Sequence, residues 1–493
     1  MPDLILSIDA GTTGVSVFLF DHKAHVVRRV YSEFAQYYPQ PGWIEHDPEE
    51  IWSVVQRLVN EVAQGLDASR VAALGITNQR ETTVLWHRKS GKPVGNAIVW
   101  QCRRTTPICN ALKKAGHTER IKQKTGLVMD PYFSATKIQW LLDRDSSLRQ
   151  AARNGELAFG TVDTWLLWKL TGGRMHATDF TNASRTLLYN IHEKKWDEEL
   201  TGIFGVPQAL LPEVRSSTGH FGETDASLLG RPIPIRGIAG DQQAALFGQA
   251  GFGKGDAKNT YGTGCFMLVN TGSVPVTSEH GLLTTLACGP KGEAVYAVEG
   301  AVFAAGSAVQ WLRDGLGIIN SAQETAQLAE SVPDAGGVTV VPAFAGLGAP
   351  YWDSAARGAI QGISRSTRRE HIVRATLESI AQQTADLLDA ITEDLDIPIS
   401  ELRVDGKACA NDFLMQFQAD LLGIPVDRPK NIDTTALGAA LLAGLGCGFW
   451  HDIGALNDLR TEDLIFTPSM DDNRRKTLRD EWHHAVERIL TQN

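Results

Sequence analysis

Apolar and polar positions change period several times within the first hundred residues. One apolar run, "LILSI", ends at Asp9, and a second, "VSVFLFD", begins after the turn Gly11-Thr12-Thr13. With "AHVVRRVYSEF" they predict three strands in succession. The period then lengthens: in "DPEEIWSVVQRLVNEVAQGL" the residues Ile51, Val54, Val55, Leu58, Val59 and Val62 share one helical face. Asp47 is placed to cap that helix, and Pro48 suits its first position. "VAALGIT", "TTVLWH" and "NAIVW" read as further strands, with "RKSGKP" as a hairpin turn. A β-β-β-α-β order of this kind belongs to an α/β domain.

The opening motif returns near the middle of the chain. "KNTYGTGCFMLVN" (258–270) has the same lead-in, Gly-Thr turn and apolar strand. Aligning Gly262-Thr263 on Gly11-Thr12 puts Thr260 where the first copy has Asp9. Later, "LRVDGKACANDFLMQFQADLLG" reads as strand, glycine turn and a helix from about Asn411, and "TALGAALLAGLGCGFW" as a small-residue helix made for close packing. A chain of 493 residues exceeds what one core holds, about 250–300. The repeat and the length together predict two α/β domains of similar size with a ligand cleft between them.

Composition narrows the function. A formal charge of −10 argues against a protein built to grip nucleic acid, though not against a local phosphate site. Six scattered cysteines without a CxxC pair offer neither a zinc site nor a disulfide framework. The N-terminus lacks the basic region of a signal peptide, and no run of about 18 uncharged apolar residues offers a membrane span. The expected setting is a reducing cytoplasm.

Four stretches carry candidate chemistry. Gly and Thr at a turn let backbone N–H groups approach an anion, and a carboxylate beside the turn suits a magnesium ion bridging phosphates. Two such turns across a cleft would cradle the outer phosphates of a nucleotide; the alternative is a pair of ordinary β-turns. Arg80 and Glu81, side by side between strands, could together bond vicinal hydroxyls or form an incidental pair on a solvated turn. Asp241, between an apolar strand and a helical run, could act as general base or as a helix cap, and Gln242 adds an amide with donor and acceptor capacity. Trp100, Tyr132 and Phe266 could pack on the CH groups of a polyol or simply fill a core.

These segments, with "QYYPQPGWIEHDPEEIW", "DPYFSATKIQWLLD", "GTVDTWLLWKLTGG", "TDFTNASRTLLYNIH", "GLLTTLACGP" and "VPAFAGLGAPYWD", resemble the FGGY carbohydrate kinases from the first strand to beyond residue 440. The resemblance implies two actin-like (ribonuclease-H-like) domains, 1–248 and 249–493, with an interdomain cleft. It also implies transfer of the γ-phosphate of MgATP to glycerol, giving sn-glycerol 3-phosphate, by a homodimer or homotetramer. Carried over by position, the glycerol pocket is Arg80, Glu81, Trp100, Tyr132, Asp241, Gln242 and Phe266, with Asp241 as general base. Asp9 matches the metal-linked carboxylate, acting on Mg2+ through water. Thr12, Thr13, Gly14 and Thr263 match the phosphate turns; Gly306, Gln310, Lys407 and Asn411 match nucleotide contacts. A kinase for another small polyol or sugar, and a polyol-binding sensor with weakened catalysis, are the competing readings.

The chain departs from the family pattern on the nucleotide side. Where the family's first turn reads D-Q-G-T-T-S-S-R, a phosphate-facing arginine is replaced by Ser16. Where the adenosine turn reads D-G-G-A, Lys407 stands in place of the second glycine. Either Lys407 reaches the phosphates and partly replaces the arginine, or it crowds the nucleotide and strains the turn. The segment "TDASLLGRPIPI", poor in glycine and with only Arg231 as a cation, predicts weak or absent control by fructose 1,6-bisphosphate.

Overall fold

The structure is a computed structural model and describes residues 2–395 and 397–491. Two mixed sheets repeat one design. In the first, β1 (Leu4–Ala10), β2 (Gly14–Phe20), β3 (Val26–Glu33), β4 (Val71–Asn78) and β5 (Ile235–Gly240) stand in the order β5-β4-β1-β2-β3. β1, β2 and β3 are joined antiparallel, and β4 and β5 add in parallel. In the second sheet, β6 (Ala257–Tyr261), β7 (Cys265–Gly272), β8 (Leu283–Cys288), β9 (Ala294–Val302), β10 (Leu402–Asp405), β11 (Val426–Pro429) and β12 (Glu462–Phe466) stand in the order β8-β9-β7-β6-β10-β11-β12. Its central five strands, β11-β10-β6-β7-β9, reproduce the order and senses of the first sheet. This is the doubled α/β architecture of the actin-like fold.

The repeat extends to the register of the two hairpins. Asp9 faces Ser16 across the first, and Thr260 faces Phe266 across the second. Thr260 therefore holds the place of Asp9, as the sequence alignment anticipates. Two elements differ from expectation. "NAIVW" shrinks to a two-residue strand, Ala97–Ile98, because its partner Glu45–His46 is equally short and Cys102 N–H closes a turn back to the Val99 carbonyl at 2.9 Å. The "RKSGKP" turn forms, with His87 N–H donating to the Lys92 carbonyl at 2.9 Å. Its return arm, however, is only a lone bridge at Pro93, which lacks an N–H, and the regular partner of Val84–His87 is Leu157–Gly160.

Six helices position the site: α1 (Pro48–Val62), α2 (Asp241–Gly248), α3 (Gly306–Asp314), α4 (Arg369–Asp394), α5 (Asp412–Leu422) and α6 (Thr434–Cys447). α1 buries the predicted face, and the Asp47 carboxylate caps it by accepting from Glu49 N–H at 2.9 Å. α6 belongs to the second half by sequence but packs on the first sheet. Ser7 Oγ donates to the Ala436 carbonyl at 2.7 Å, and Ile5, Ala73 and Ala239 share a core with Ala436, Ala440 and Ala443. Where α2 and α6 cross, a Cβ on Gly438 would lie 1.8 Å from the Ala244 carbonyl oxygen, and one on Gly248 would lie 2.1 Å from that of Thr434. The small-residue composition of α6 thus lets two backbones touch beneath both hairpins. Gly438→Ala is expected to destabilise the protein by about 1–3 kcal/mol, the usual cost of overpacking. Thermal unfolding of the variant checks this, and an unchanged Tm would mean that the crossing is looser than described.

Among the described residues, no helix is long and apolar enough to cross a membrane.

Candidate active site

A cavity of about 230 Å3 opens between the two sheets, at the ends of β1, β4, β5 and β6. The first half of the chain lines it with Asp9, Gly11, Thr12, Arg80, Glu81, Trp100 and Tyr132; Asp241 and Gln242 come from the first turn of α2. The second half contributes Thr260, Gly262, Thr263, Gly264, Phe266 and Thr435. All seven predicted polyol residues and both predicted carboxylates therefore meet around one space.

The Arg80-Glu81 pair is not a solvated turn. Both side chains are buried, and Glu81 holds φ at +61°, a left-handed conformation that a non-glycine residue adopts at a cost. Its carbonyl accepts from Ser134 Oγ at 2.9 Å and Thr83 Oγ1 at 3.0 Å, which fixes the strained backbone. Arg80 reaches Asp241 Oδ1 at 3.1 Å and forks onto Glu299 of β9 at 2.5 and 3.0 Å. Arg185 binds Glu81 Oε1 at 2.7 Å and Glu299 Oε1 at 2.8 Å. Two arginines and two glutamates thus close a buried, charge-balanced network that joins the halves of the chain. Burial pushes the Glu81 carboxyl up, against Arg80 and Arg185. Burial acts the same way on Glu299, but there Arg185 and Arg80 prevail and hold its carboxyl below the ordinary value.

Asp241 begins α2, and Gly240 occupies the cap position. Its carboxylate accepts from Gln242 N–H at 2.8 Å, lies 3.1 Å from Arg80 Nε and lines the cavity. Burial raises its pKa above the usual aspartate value despite Arg80 and Lys258 nearby. The three aromatic rings form a wall: Trp100 meets Tyr132 edge-on at 5.5 Å and Phe266 at 6.0 Å between centroids. Trp100 Nε1 donates to Thr12 Oγ1 at 2.9 Å, which couples this wall to the first Gly-Thr turn.

The second turn is packed against the start of α3. Ala305 N–H and Ser307 N–H donate to the Thr263 carbonyl at 2.9 and 3.1 Å, and Gly306 N–H donates to that of Gly262 at 3.0 Å. A Cβ on Gly306 would lie 2.6 Å from the Gly262 oxygen, so only glycine permits this approach. Thr13 lies exposed at the tip of the first turn, while Gly14 is buried under Tyr31, whose ring and hydroxyl come within 2.8 Å of where its Cβ would be. Gln310 is exposed on α3, and Asn411 caps α5, its Oδ1 accepting from Leu414 N–H at 3.0 Å. Thr13, Gly14, Gly306, Gln310, Lys407 and Asn411 thus stand outside the lining of the cavity itself.

The strain anticipated at Lys407 is absent. The positive φ, +85°, belongs to Gly406, and Lys407 opens a 3-10 turn with ordinary geometry. Its exposed side chain crosses the cleft and places the ammonium 5.1 Å from the ring centroid of Tyr31, the residue paired with Ser16 on β2. A second cross-cleft pair, Arg29 with Asp433 at 3.1 Å, lies beside it. Positive charge near the first turn therefore comes from Lys407 and Arg29 where Ser16 supplies none. An exposed ion pair contributes about 0.2–1 kcal/mol, so removing the Lys407 ammonium from beside the phosphate turn, as in Lys407→Gly, is expected to raise KM for ATP up to about fivefold. Steady-state kinetics at saturating acceptor checks it; a fall in KM would mean that the lysine crowds the nucleotide.

Comparison with known proteins agrees with this geometry. The N-terminal domain of the FGGY family of carbohydrate kinases matches residues 4–248, and the C-terminal domain of the same family matches residues 257–447. The chain belongs to the FGGY family of carbohydrate kinases. Glycerol kinase 2 of Thermotoga maritima is 56% identical over 490 residues, covering 99% of this chain and 98% of its own length. A glycerol kinase of Symbiobacterium thermophilum is 57% identical over 486 residues, covering 98% of each chain. Among solved structures, Plasmodium falciparum glycerol kinase with ADP superposes with a TM-score of 0.90 at 40% identity, covering 99% of both chains. Xylulose kinase of Lactobacillus acidophilus, at 22% identity and a TM-score of 0.86, shares the fold.

Within this FGGY chain, sequence reasoning missed Arg185, Lys258 and Glu299, all fully buried beside the cavity. Each is a lone charge in a stretch of otherwise uncharged residues: "NASRTLLYNI", "AKNTYGTG" and "YAVEGAVF". Burying a charge is costly unless it is paired, so a solitary charge inside a predicted strand or apolar segment is the signal that could have found them.

Proposed function

We propose that this chain transfers the γ-phosphate of ATP to a terminal hydroxyl of glycerol, with Asp241 as general base. The reading is supported by relatives named glycerol kinase that match along nearly the whole chain. One observation carries it to the residues: a single cavity gathers a raised-pKa carboxylate, a buried Arg-Glu pair and three aromatic rings beside two Gly-Thr turns. The rings pack on the carbon chain of the polyol, Arg80, Glu81 and Gln242 bond its hydroxyls, and Asp241 accepts the proton of the attacking oxygen. Backbone N–H groups of the turns at Thr12 and Thr263 receive the phosphates. Phosphoryl transfer has a loose transition state, so positioning and charge stabilisation supply most of the catalysis. Exclusion of water by closure of the cleft keeps the phosphate from hydrolysis.

The residues present fit magnesium. Burial, with Asp241 and Asp433 nearby, pushes the Asp9 carboxyl up to about 7, the mark of a site short of positive charge. Among the described residues there is no cluster of three metal-ligating side chains, which suits an ion held chiefly by phosphate oxygens and water with one carboxylate. Asp9 would hold it, and the ion would neutralise charge on the outer phosphates. The expected setting of the reaction is the cytoplasm, and the expected assembly a homodimer or homotetramer.

A coupled assay for ADP tests the function. Glycerol-dependent ADP release is expected, and release with another polyol but not glycerol would favour a different acceptor. Glycerol binding without ADP release would favour a sensor. Millimolar fructose 1,6-bisphosphate is expected to leave the rate unchanged within twofold; clear inhibition would contradict the reading of residues 224–235.

A further inference from the structure

Lys258 is the least expected residue near the cavity. It lies within β6, fully buried, where strands ordinarily carry apolar side chains. Its Nζ donates to Gln242 Oε1 at 2.5 Å, Thr260 Oγ1 at 2.8 Å and the Phe266 carbonyl at 3.2 Å. All three partners line the cavity. They also come from both halves of the chain: Gln242 from the first turn of α2, and Thr260 and Phe266 from the hairpin that carries the second Gly-Thr turn. Burial pulls the lysine pKa down to about 8, with Asp405, Asp241 and Glu299 favouring its charge and Arg80 opposing it.

An ammonium has three donors and no acceptor. Gln242 can therefore meet it only through Oε1, which turns Nε2 away from the lysine. Among the described residues, no protein acceptor takes the Nε2 hydrogens, and Gln242 faces the cavity. The amide thus turns its carbonyl toward the lysine and its donor toward the cavity. Free to rotate, a glutamine could show either end and would discriminate poorly between ligands.

We propose that Lys258 is a positioning residue that sets acceptor specificity. It locks the Gln242 amide with nitrogen toward the ligand, so that the pocket requires an oxygen acceptor, such as a polyol hydroxyl, at that point. The same three bonds tie the start of α2, and with it Asp241, to the second Gly-Thr turn. Lys258 itself touches no substrate and acts through Gln242. The inference rests on the polyol reading of this cavity. It adds the group that orients one of the hydroxyl-binding side chains and the polarity which that side chain presents.

The test measures dissociation constants of the full-length protein by calorimetry for glycerol, propane-1,2-diol and propane-1,3-diol. Wild type is expected to prefer glycerol at least tenfold over the diol that lacks the hydroxyl meeting Gln242. Lys258→Met should narrow that preference at least fivefold, Gln242→Met should narrow it equally, and the double variant no further. Lys258→Arg, which keeps a cationic donor, should retain the preference within threefold. Equal weakening toward all three ligands in Lys258→Met, or multiplicative losses in the double variant, would overturn the proposal. Should Lys258→Met fail to fold by circular dichroism, Gln242→Met and Lys258→Arg decide. An unchanged preference in the first, or its loss in a folded second, overturns the proposal equally. Turnover is measured separately: wild type that binds glycerol selectively yet releases no ADP contradicts the kinase reading and leaves the amide lock standing.

Discussion

Asp241→Asn is expected to lower kcat by about 10²–10⁴ while glycerol affinity changes little. The range is what a positioned general base contributes to proton transfer. Asparagine keeps the size of the side chain and its oxygen toward Gln242 N–H and Arg80, but it cannot accept a proton. The wild-type carboxyl is raised by burial, so the ionised, active form is lost on acidification at a higher pH than for an ordinary aspartate. The acid limb of the kcat profile should accordingly lie above the usual carboxylate range, and Asp241→Asn should flatten it. A group whose folded pKa is raised costs stability once ionised, so the variant should be at least as stable as wild type at neutral pH. A drop in kcat below tenfold, or an acid limb unchanged in the variant, would remove Asp241 from the chemistry.

Asp9→Asn is expected to abolish measurable transfer and yet to raise Tm at pH 8 in the absence of nucleotide. Its carboxyl is pushed up to about 7, first by burial and then by Asp241 and Asp433, with Arg29 offsetting only part. The unfolded chain ionises near pH 4, so the penalty of the folded carboxylate builds between about pH 4 and 7 and is complete above that. The Tm advantage of the variant should therefore be full at pH 8 and close as the pH falls toward 4. Saturating MgATP should reverse the ranking, because wild type gains a ligand that the variant holds poorly. Thermal scans at pH 5 and 8, with and without MgATP, read all four conditions. A variant less stable than wild type at pH 8 without nucleotide would contradict the account of Asp9 as a carboxylate kept for a cation.

The two Gly-Thr turns were legible in the sequence because close backbone approach demands glycine and leaves its mark at fixed spacing. The repeat followed from them, and the strand registers place Thr260 at the position of Asp9. Helix α1 was legible for a similar reason, since a one-sided apolar face and an Asp-Pro start are local signals. The polar heart of the site was not. Spacing alone favoured a solvated turn at Arg80-Glu81, whereas the pair is buried by Glu299, 219 residues away, and by Arg185. Contacts at that separation have no local pattern, and family resemblance rather than periodicity supplied the pocket residues. Lys407 shows the converse error. The concern over strain placed the demand for glycine one residue too late, because Gly406 alone takes the positive φ. α6 misleads in another way: its sequence position assigns it to the second half, while its small residues let it pack on the first sheet.

The most direct measurement is a crystal structure with glycerol, magnesium and a non-hydrolysable ATP analogue. The polyol carbons are expected against Trp100 and Phe266, with one terminal oxygen within about 3 Å of an Asp241 carboxylate oxygen and pointing at the γ-phosphorus. Glycerol bound elsewhere, or its terminal oxygens turned away from Asp241 with the phosphates in place, would contradict this arrangement.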